Sequence, residues 1–445
     1  MQHFKRSKPN NRGASLTEYS LLAGLIGVVS IGAVVSLGDR VTEVFSSASV
    51  TLASKVGDAA DGTVDGYIGG PPAEPIILTM TGNAVVRLSG VGHIEWAEGD
   101  VIEFNGQNIE ISRSLSEPTD VYVYGDVRDL RDLDGVLALK SFGDARPTTL
   151  NNTFYNENVT YLPETLPSSV RNLNGTFSKS TFPDTIEGWD VSNVNEFQGI
   201  FRQSDLGDLD LSQWQMTSAK DLGSMFNRAT FSGTLFDLSQ PNQVESLGAI
   251  FGSTTINDPS ISDWNVSNVT NFSGIFDGNT AFNRDLSGWD VSKGTSFKKT
   301  FSNARSFDQD LSGWDVSNGA TFETMFAGAH AFSSPIFTTV GQNAVSLSGM
   351  FWNTQNFNKD LSSWDTSNVT TMKSMFNSSA YNRDISGWDT SSATDMEGMF
   401  NDATVFDQDL SSWCVDNFAS EPEIFDTGAS AWTAARPQWG TCPAP

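Results

Sequence analysis

Residues 282–318 read FNRDLSGWDVSKGTSFKKTFSNARSFDQDLSGWDVSN, and the opening twelve letters return from Phe307 as FDQDLSGWDVSN and from Phe357 as FNKDLSSWDTSN. A period of 25 runs outward from this stretch. Phenylalanine recurs at 201, 226, 251, 276, 301, 326, 351 and 376, continues to Phe400 and Phe425, and reaches back to Phe177 and Phe154. A second aromatic column follows at Phe282, Phe307, Phe332, Phe357, Tyr381 and Phe406, with Phe231 and Ile256 before it. The third is tryptophan, at 189, 214, 264, 289, 314, 364, 388 and 413, missing only from the turns near 239 and 339. Such regularity implies a stacked solenoid of about twelve repeats over 149–425, each coil too small to bury its own apolar face. The Asp-Leu/Ile-Ser piece reads as one short strand of a parallel sheet. The Ser/Asn-rich residues after Trp-Asp read as the start of a helical turn that ends on the ladder phenylalanine. The expected class is therefore an α/β solenoid of about 25 residues per coil, some 55 to 60 Å long at a strand spacing of about 4.8 Å.

In such a stack Phe201, Phe226, Phe251, Phe276, Phe301, Phe326, Phe351, Phe376 and Phe400 form the core, each stabilising by about 1.5 to 3 kcal/mol through burial. Trp289, Trp314, Trp364 and Trp388 either join that core or stand at a solenoid edge, where indoles stack on sugars or peptide side chains. The acidic column after Trp, at Asp190, Asp290, Asp315, Asp365 and Asp389, has the oxygen-rich character that binds calcium. Asn265, Gln215 and Cys414 occupy the same site in other coils, which suits side-chain to backbone hydrogen bonding better than obligatory charge. No EF-hand loop is present, so no cofactor is expected, calcium being the one metal that the pattern leaves open.

The flanks differ in character. The first 13 residues hold Lys5, Arg6, Lys8 and Arg12 without an acid, whereas the whole chain carries 53 acidic against 26 basic side chains and a net charge of −27. Such a body repels nucleic acid and anionic lipid headgroups. ASLTEY (14–19) precedes an apolar run over 20–38 about as long as a bilayer is thick. Glu18 at the edge of that run needs a partner, and the α-amino group of Ala14, released by cleavage after Gly13, would supply one. Small residues such as Ala23/Gly27 and Gly32/Ser36 let neighbouring helices approach closely. Positive charge before the span places the leader in the cytoplasm and the body outside. DAADGTVDGYIGGPPAEP (58–75) is a hinge or spacer. VIEF from Val101, NIEIS from Asn108 and VYVYG from Val121 alternate with period two and read as strands of a small β domain or of an N-terminal cap. Cys414 and Cys442 are the only cysteines and lie at the end of the array, where a disulfide would pin a terminal cap in an oxidising compartment. The divisions are thus a leader (1–13), a hydrophobic helix (14–56), a linker (57–75), the β segment or cap (76–148), the solenoid (149–425) and a C-terminal cap (426–445).

Two resemblances follow from these residues. The basic leader, Gly13, Glu18, Tyr19 and the Gly/Ala/Val/Ile/Leu helix, continuing as VTEVFSSASVTLASKV, resemble the Flp-type (type IVb, tight-adherence) pilins. That resemblance implies cleavage between Gly13 and Ala14 by a prepilin peptidase. It also implies a role for Glu18 and Tyr19 in packing against other pilin subunits, residence in the inner membrane before assembly, and then the extracellular pilus. The coils, with Asp360 to Asp365, Val369 and Met375–Phe376 as the clearest match, resemble the BspA-like leucine-rich repeats of bacterial surfaces. Those repeats imply a cell-surface location and adhesion to a surface, matrix or host ligand. The functional expectation is a non-enzymatic, pilin-like subunit displaying a binding solenoid. The alternative is a membrane-anchored surface or periplasmic scaffold that enters no filament. A hydrolase is not expected, since only His3, His93 and His330 occur and no serine stands in a nucleophile-elbow pattern.

Overall fold

The computed structural model describes residues 74–443 apart from residue 98, and these fall in one unit, Ala73–Pro445. The leader, hydrophobic helix and most of the linker expected over 1–73 lie outside the described residues. The chain enters through three long strands, β1 (Ile76–Trp96), β2 (Val101–Ser114) and β3 (Thr119–Ser141), in an antiparallel sheet of order β2-β1-β3. VIEF and NIEIS are parts of the one strand β2, and β1 is an element that the alternation in the sequence did not single out. Along β1 the inward side chains Ile76, Leu78, Met80, Val86, Leu88, Ile94 and Trp96 are buried, as the period-two pleat requires. The register slips between Leu88 and Gly90. Gly90 has φ +143°, and a Cβ there would lie 1.9 Å from the carbonyl oxygen of Asp126, so only glycine lets β3 pass this closely.

β3 then hands the chain to the array through parallel bridges Asp129–Thr149 and Ala138–Tyr161, and Thr153 Oγ1 donates to the carbonyl of Leu130 at 2.6 Å. From Thr149 one ladder of parallel bridges runs coil by coil through Asn172, Glu196, Asp221, Ser246, Asn271, Ser296, Thr321, Ser346 and Thr371 to Asp395, with further bridges Asn158–Thr181, Asp205–Thr230 and Asp210–Thr234 in the early coils. The sheet and the coils share one hydrophobic core from Ile76 to Trp432, so the strands cover the first coil much as a capping repeat does.

The expected α/β class is corrected by these coils. Among the described residues there is no α-helix, only two five-residue 3-10 helices, Asp184–Gly188 and Pro259–Asp263, and the array is built of turns and bridges. The reason lies in where successive N–H groups go. In the coil that holds Phe226, the amides of Leu222, Ser224, Phe226 and Arg228 donate to Ser246, Gly248, Ile250 and Gly252 of the next coil, while Met225, Asn227 and Ala229 donate three residues back. This alternation leaves no continuous i to i−4 series for an α-helix. It also requires positive φ at two positions four residues apart in each coil, from Asn152/Asn156 through Ser224/Arg228 and Gly274/Gly278 to Ile424/Gly428. Nor is the Asp-Leu-Ser piece a strand: the amide of Ser287 donates to Asp285 Oδ1 at 2.9 Å, closing a tight turn.

Inside, the rings stack face to face. Phe326 and Phe351 lie 5.8 Å apart at 2° and Phe332 and Phe357 5.4 Å apart at 4°, while Trp289 and Trp314 lie 6.5 Å apart at 4°. In the two coils without tryptophan, Phe236 and Phe337 take its place and stack on Trp264 and Trp364. At the C-terminal end the geometry changes. Phe425 meets Phe400 and Trp439 edge-on, at 81° and 85°, and Trp432 meets Phe406 edge-on at 81°. Rings turned this way offer no face for a further coil, and a disulfide between Cys414 and Cys442 closes the end.

Candidate functional site

The ladder phenylalanines from Phe201 to Phe400 have no exposed surface. The tryptophans weighed as ligand-facing are buried beside them: Trp289, Trp314, Trp364 and Trp388 are 3 to 4% exposed. Each indole N–H donates to a carbonyl of the preceding coil, Trp289 to Ile261, Trp314 to Leu286, Trp364 to Phe337 and Trp388 to Leu361, at 2.9 to 3.2 Å. Such an indole is both core and inter-coil clamp, because its apolar body fills the stack while its one polar atom satisfies a buried carbonyl. Ligands therefore have no access to these four rings.

The aspartates are spent in the same way. Asp190, Asp290, Asp315, Asp365 and Asp389 each accept the amide of the serine two residues on, at 3.0 to 3.1 Å. Asn265 makes the same bond to Ser267. For Asp290 and Asp315 the serine hydroxyl and then its amide hold the carboxyl below its ordinary range, with burial working weakly the other way. Each side chain closes its own turn, so the column does not converge into a calcium cage. The one group of three potential metal ligands among the described residues is Cys414, Asp416 and Cys442, and its two sulfurs are bonded to each other.

What the array leaves for the outside is a different tryptophan. Trp352 follows the ladder residue Phe351, stands off the 25-residue tryptophan period and is 49% exposed. In register beside it on the adjoining coils are Ala327 and Asn377, fixed by the amide of Gly328 donating to the Trp352 carbonyl at 2.8 Å and that of Asn353 to the Asn377 carbonyl at 2.8 Å. Asn353, the following residue in the chain, adopts φ 56°. Its amide lies 3.3 Å from His330 Nε2, and its Oδ1 accepts from Gln355 Nε2 at 2.8 Å. Sequence reasoning passed over Trp352 because it followed the periodic residues; its being out of phase was the available signal. His93 lies on β1, stacked on Tyr124 at 4.7 Å. Gly13, Ala14, Glu18 and Tyr19 lie outside the described residues.

Three consecutive stretches, 148–244, 234–339 and 339–439, match one family model, described as Mycoplasma protein of unknown function, DUF285. This is a repeat family, and it covers the span whose motif resembles the BspA-like repeats. No part of 14–56 is matched and no pilin family appears, so the reading of the chain as an Flp-type pilin with a transmembrane pilin helix is corrected. Among the described residues no helix is long and apolar enough to cross a membrane. No curated protein and no solved structure matches this chain.

Proposed function

Because the chain belongs to the DUF285 family, whose description assigns no activity, we propose its function from the geometry: a non-enzymatic, adhesive scaffold that works outside the cell and binds a surface or matrix polymer along its coils. The observation that carries this reading is the direction of the repeated polar groups. Aspartates and indoles that would be the raw material of a catalytic or metal centre point at the protein's own backbone, and what faces outward is an extended, Asn/Ser/Asp-rich exterior. The two histidines among the described residues sit in separate settings, His93 on Tyr124 and His330 against Asn353. A disulfide at the end of the array suits an oxidising compartment, and a net charge of −27 disfavours nucleic acid as the partner.

Antibody labelling of intact, unpermeabilised cells, paired with adhesion of beads coated with the purified chain, tests the proposal. External label and bead retention on a matrix-coated surface are expected. Label that appears only after permeabilisation overturns the reading.

A further inference from the structure

The three matched stretches of the array meet at 234–244 and at 339, and beside the first of these joins lies an open groove of about 360 Å³. Lys220, Glu245 and Thr270, one from each of three successive coils, line it together with Gln243 and Asn268. The first three stand in register, because the amide of Glu245 donates to the carbonyl of Lys220 and that of Thr270 to the carbonyl of Glu245, both at 2.9 Å. Asn268 is fixed from both ends: its Nδ2 donates to the carbonyl of Asn242 at 2.9 Å, and its Oδ1 accepts from Lys293 Nζ at 2.8 Å.

Two charges in this groove are left over. Lys220 and Glu245 are exposed, and among the described residues neither the ammonium nor the carboxylate has a hydrogen-bond or ion-pair partner. Elsewhere the array joins a lysine directly to a glutamate one coil on: Lys298 meets Glu323 at 2.7 Å and Lys373 meets Glu397 at 2.8 Å. Lys220 and Glu245 are also one coil apart, yet they do not pair. Nor does the fold require these charges. At the second join the same backbone ladder runs through Ala320, Val345 and Thr370, with Val345 46% exposed, so neutral side chains serve the scaffold there.

An ammonium and a carboxylate on adjacent coils, about 4.8 Å apart along the backbone ladder, set the chemistry of a ligand. Nucleic acid and polyuronates supply one sign of charge and would face Glu245 with its like. A neutral glycan would cover both groups and pair with neither ion, at a cost in their hydration. A ligand that carries both signs satisfies the two together. Resting on the adhesive reading above, we propose that this groove binds an extended stretch of matrix polypeptide, an acidic side chain of which pairs with Lys220 while a basic one pairs with Glu245.

Binding of the full chain to immobilised poly(Glu,Lys), a random copolymer of both charges, tests the assignment, with polyglutamate and dextran as controls. Saturable binding to the copolymer is expected. Lys220→Ala combined with Glu245→Val should weaken it at least about fivefold. This variant copies the residues of the second join, so its thermal midpoint should match the parent's. Exchange of the two charges, Lys220→Glu with Glu245→Lys, should hold binding within about twofold, because a polymer of both signs fits in either direction. Both variants keep the net charge of the chain, so a difference between them belongs to the groove and not to the bulk field. No binding to the copolymer, or binding equal in the first variant, overturns the site. So does groove-dependent binding to dextran alone, which would leave the adhesive reading standing. Failure of the external labelling described above strikes that reading and not the groove.

Discussion

Asp315 shows how one residue serves the array. Its Oδ1 accepts the amide of Ser317 at 3.0 Å, and the serine hydroxyl and amide together lower its pKa, against burial and the like charge of Asp290 one coil away. A carboxyl whose folded pKa lies below its unfolded value of about 3.9 contributes stability in full above that value and loses it as pH falls through the folded one. Because Asp210, Asp285, Asp310, Asp360 and Asp384 share this direction, the array should lose stability together on acidification below about pH 4. Asn265 already makes this turn without a charge. Asp315→Asn is therefore expected to match the parent's midpoint at pH 7 and to lose less of it on acidification, measured by thermal unfolding from pH 7 to pH 3. A steeper acid loss in the variant would contradict this account of the column.

The elements that need most support are the two ends, where a stacked array would otherwise expose an open face. At the start, β1 to β3 cover the first coil and share its core. At the finish, rings turned edge-on, Arg436 over Trp432 at 4.5 Å and the Cys414–Cys442 bond close the stack. Val415 donates to Thr441 at 2.9 Å, and Gly440 donates back to Val415 at 3.1 Å, so the last coil and the cap form one hydrogen-bonded unit. The disulfide spans 28 residues, for which chain-entropy arguments give about 3 to 4 kcal/mol. Cys414→Ser with Cys442→Ser is expected to raise amide exchange across 415–441 by more than tenfold while 200–350 keeps its protection. Uniform loss of protection along the array would show that the cap holds more than its own end.

At the scale of the molecule the coils interact with their neighbours alone, which makes the period a unit of construction. Removal of residues 296–320, one period, brings Asn271 next to Thr321 in the bridge ladder and Phe276 next to Phe326 in the core. This deletion is expected to fold with a similar thermal midpoint. Removal of 296–308, about half a period, puts polar residues where rings belong and should abolish the cooperative transition, as followed by near-ultraviolet circular dichroism. If both deletions unfold alike, the array is not additive in coils.

The 25-residue spacing of Phe, Trp and Asp-x-Ser suffices to establish a stacked array, its core and its extent, because each coil repeats one local solution and the period is written in the letters. Pairing between Cys414 and Cys442 is equally legible, two lone cysteines at one end. What the letters leave open is settled by neighbours in space. Whether Trp289 points in or out, whether Ser292 begins a helix or only closes a turn, and whether β1 to β3 stand alone or cap the coils all depend on where backbone N–H groups find acceptors. Those acceptors lie a full period away, on the adjacent coil, out of reach of any local pattern. Trp352 makes the same point from the other side: an indole one position past the ladder is apolar by composition, and only the stacking of three coils turns it toward water.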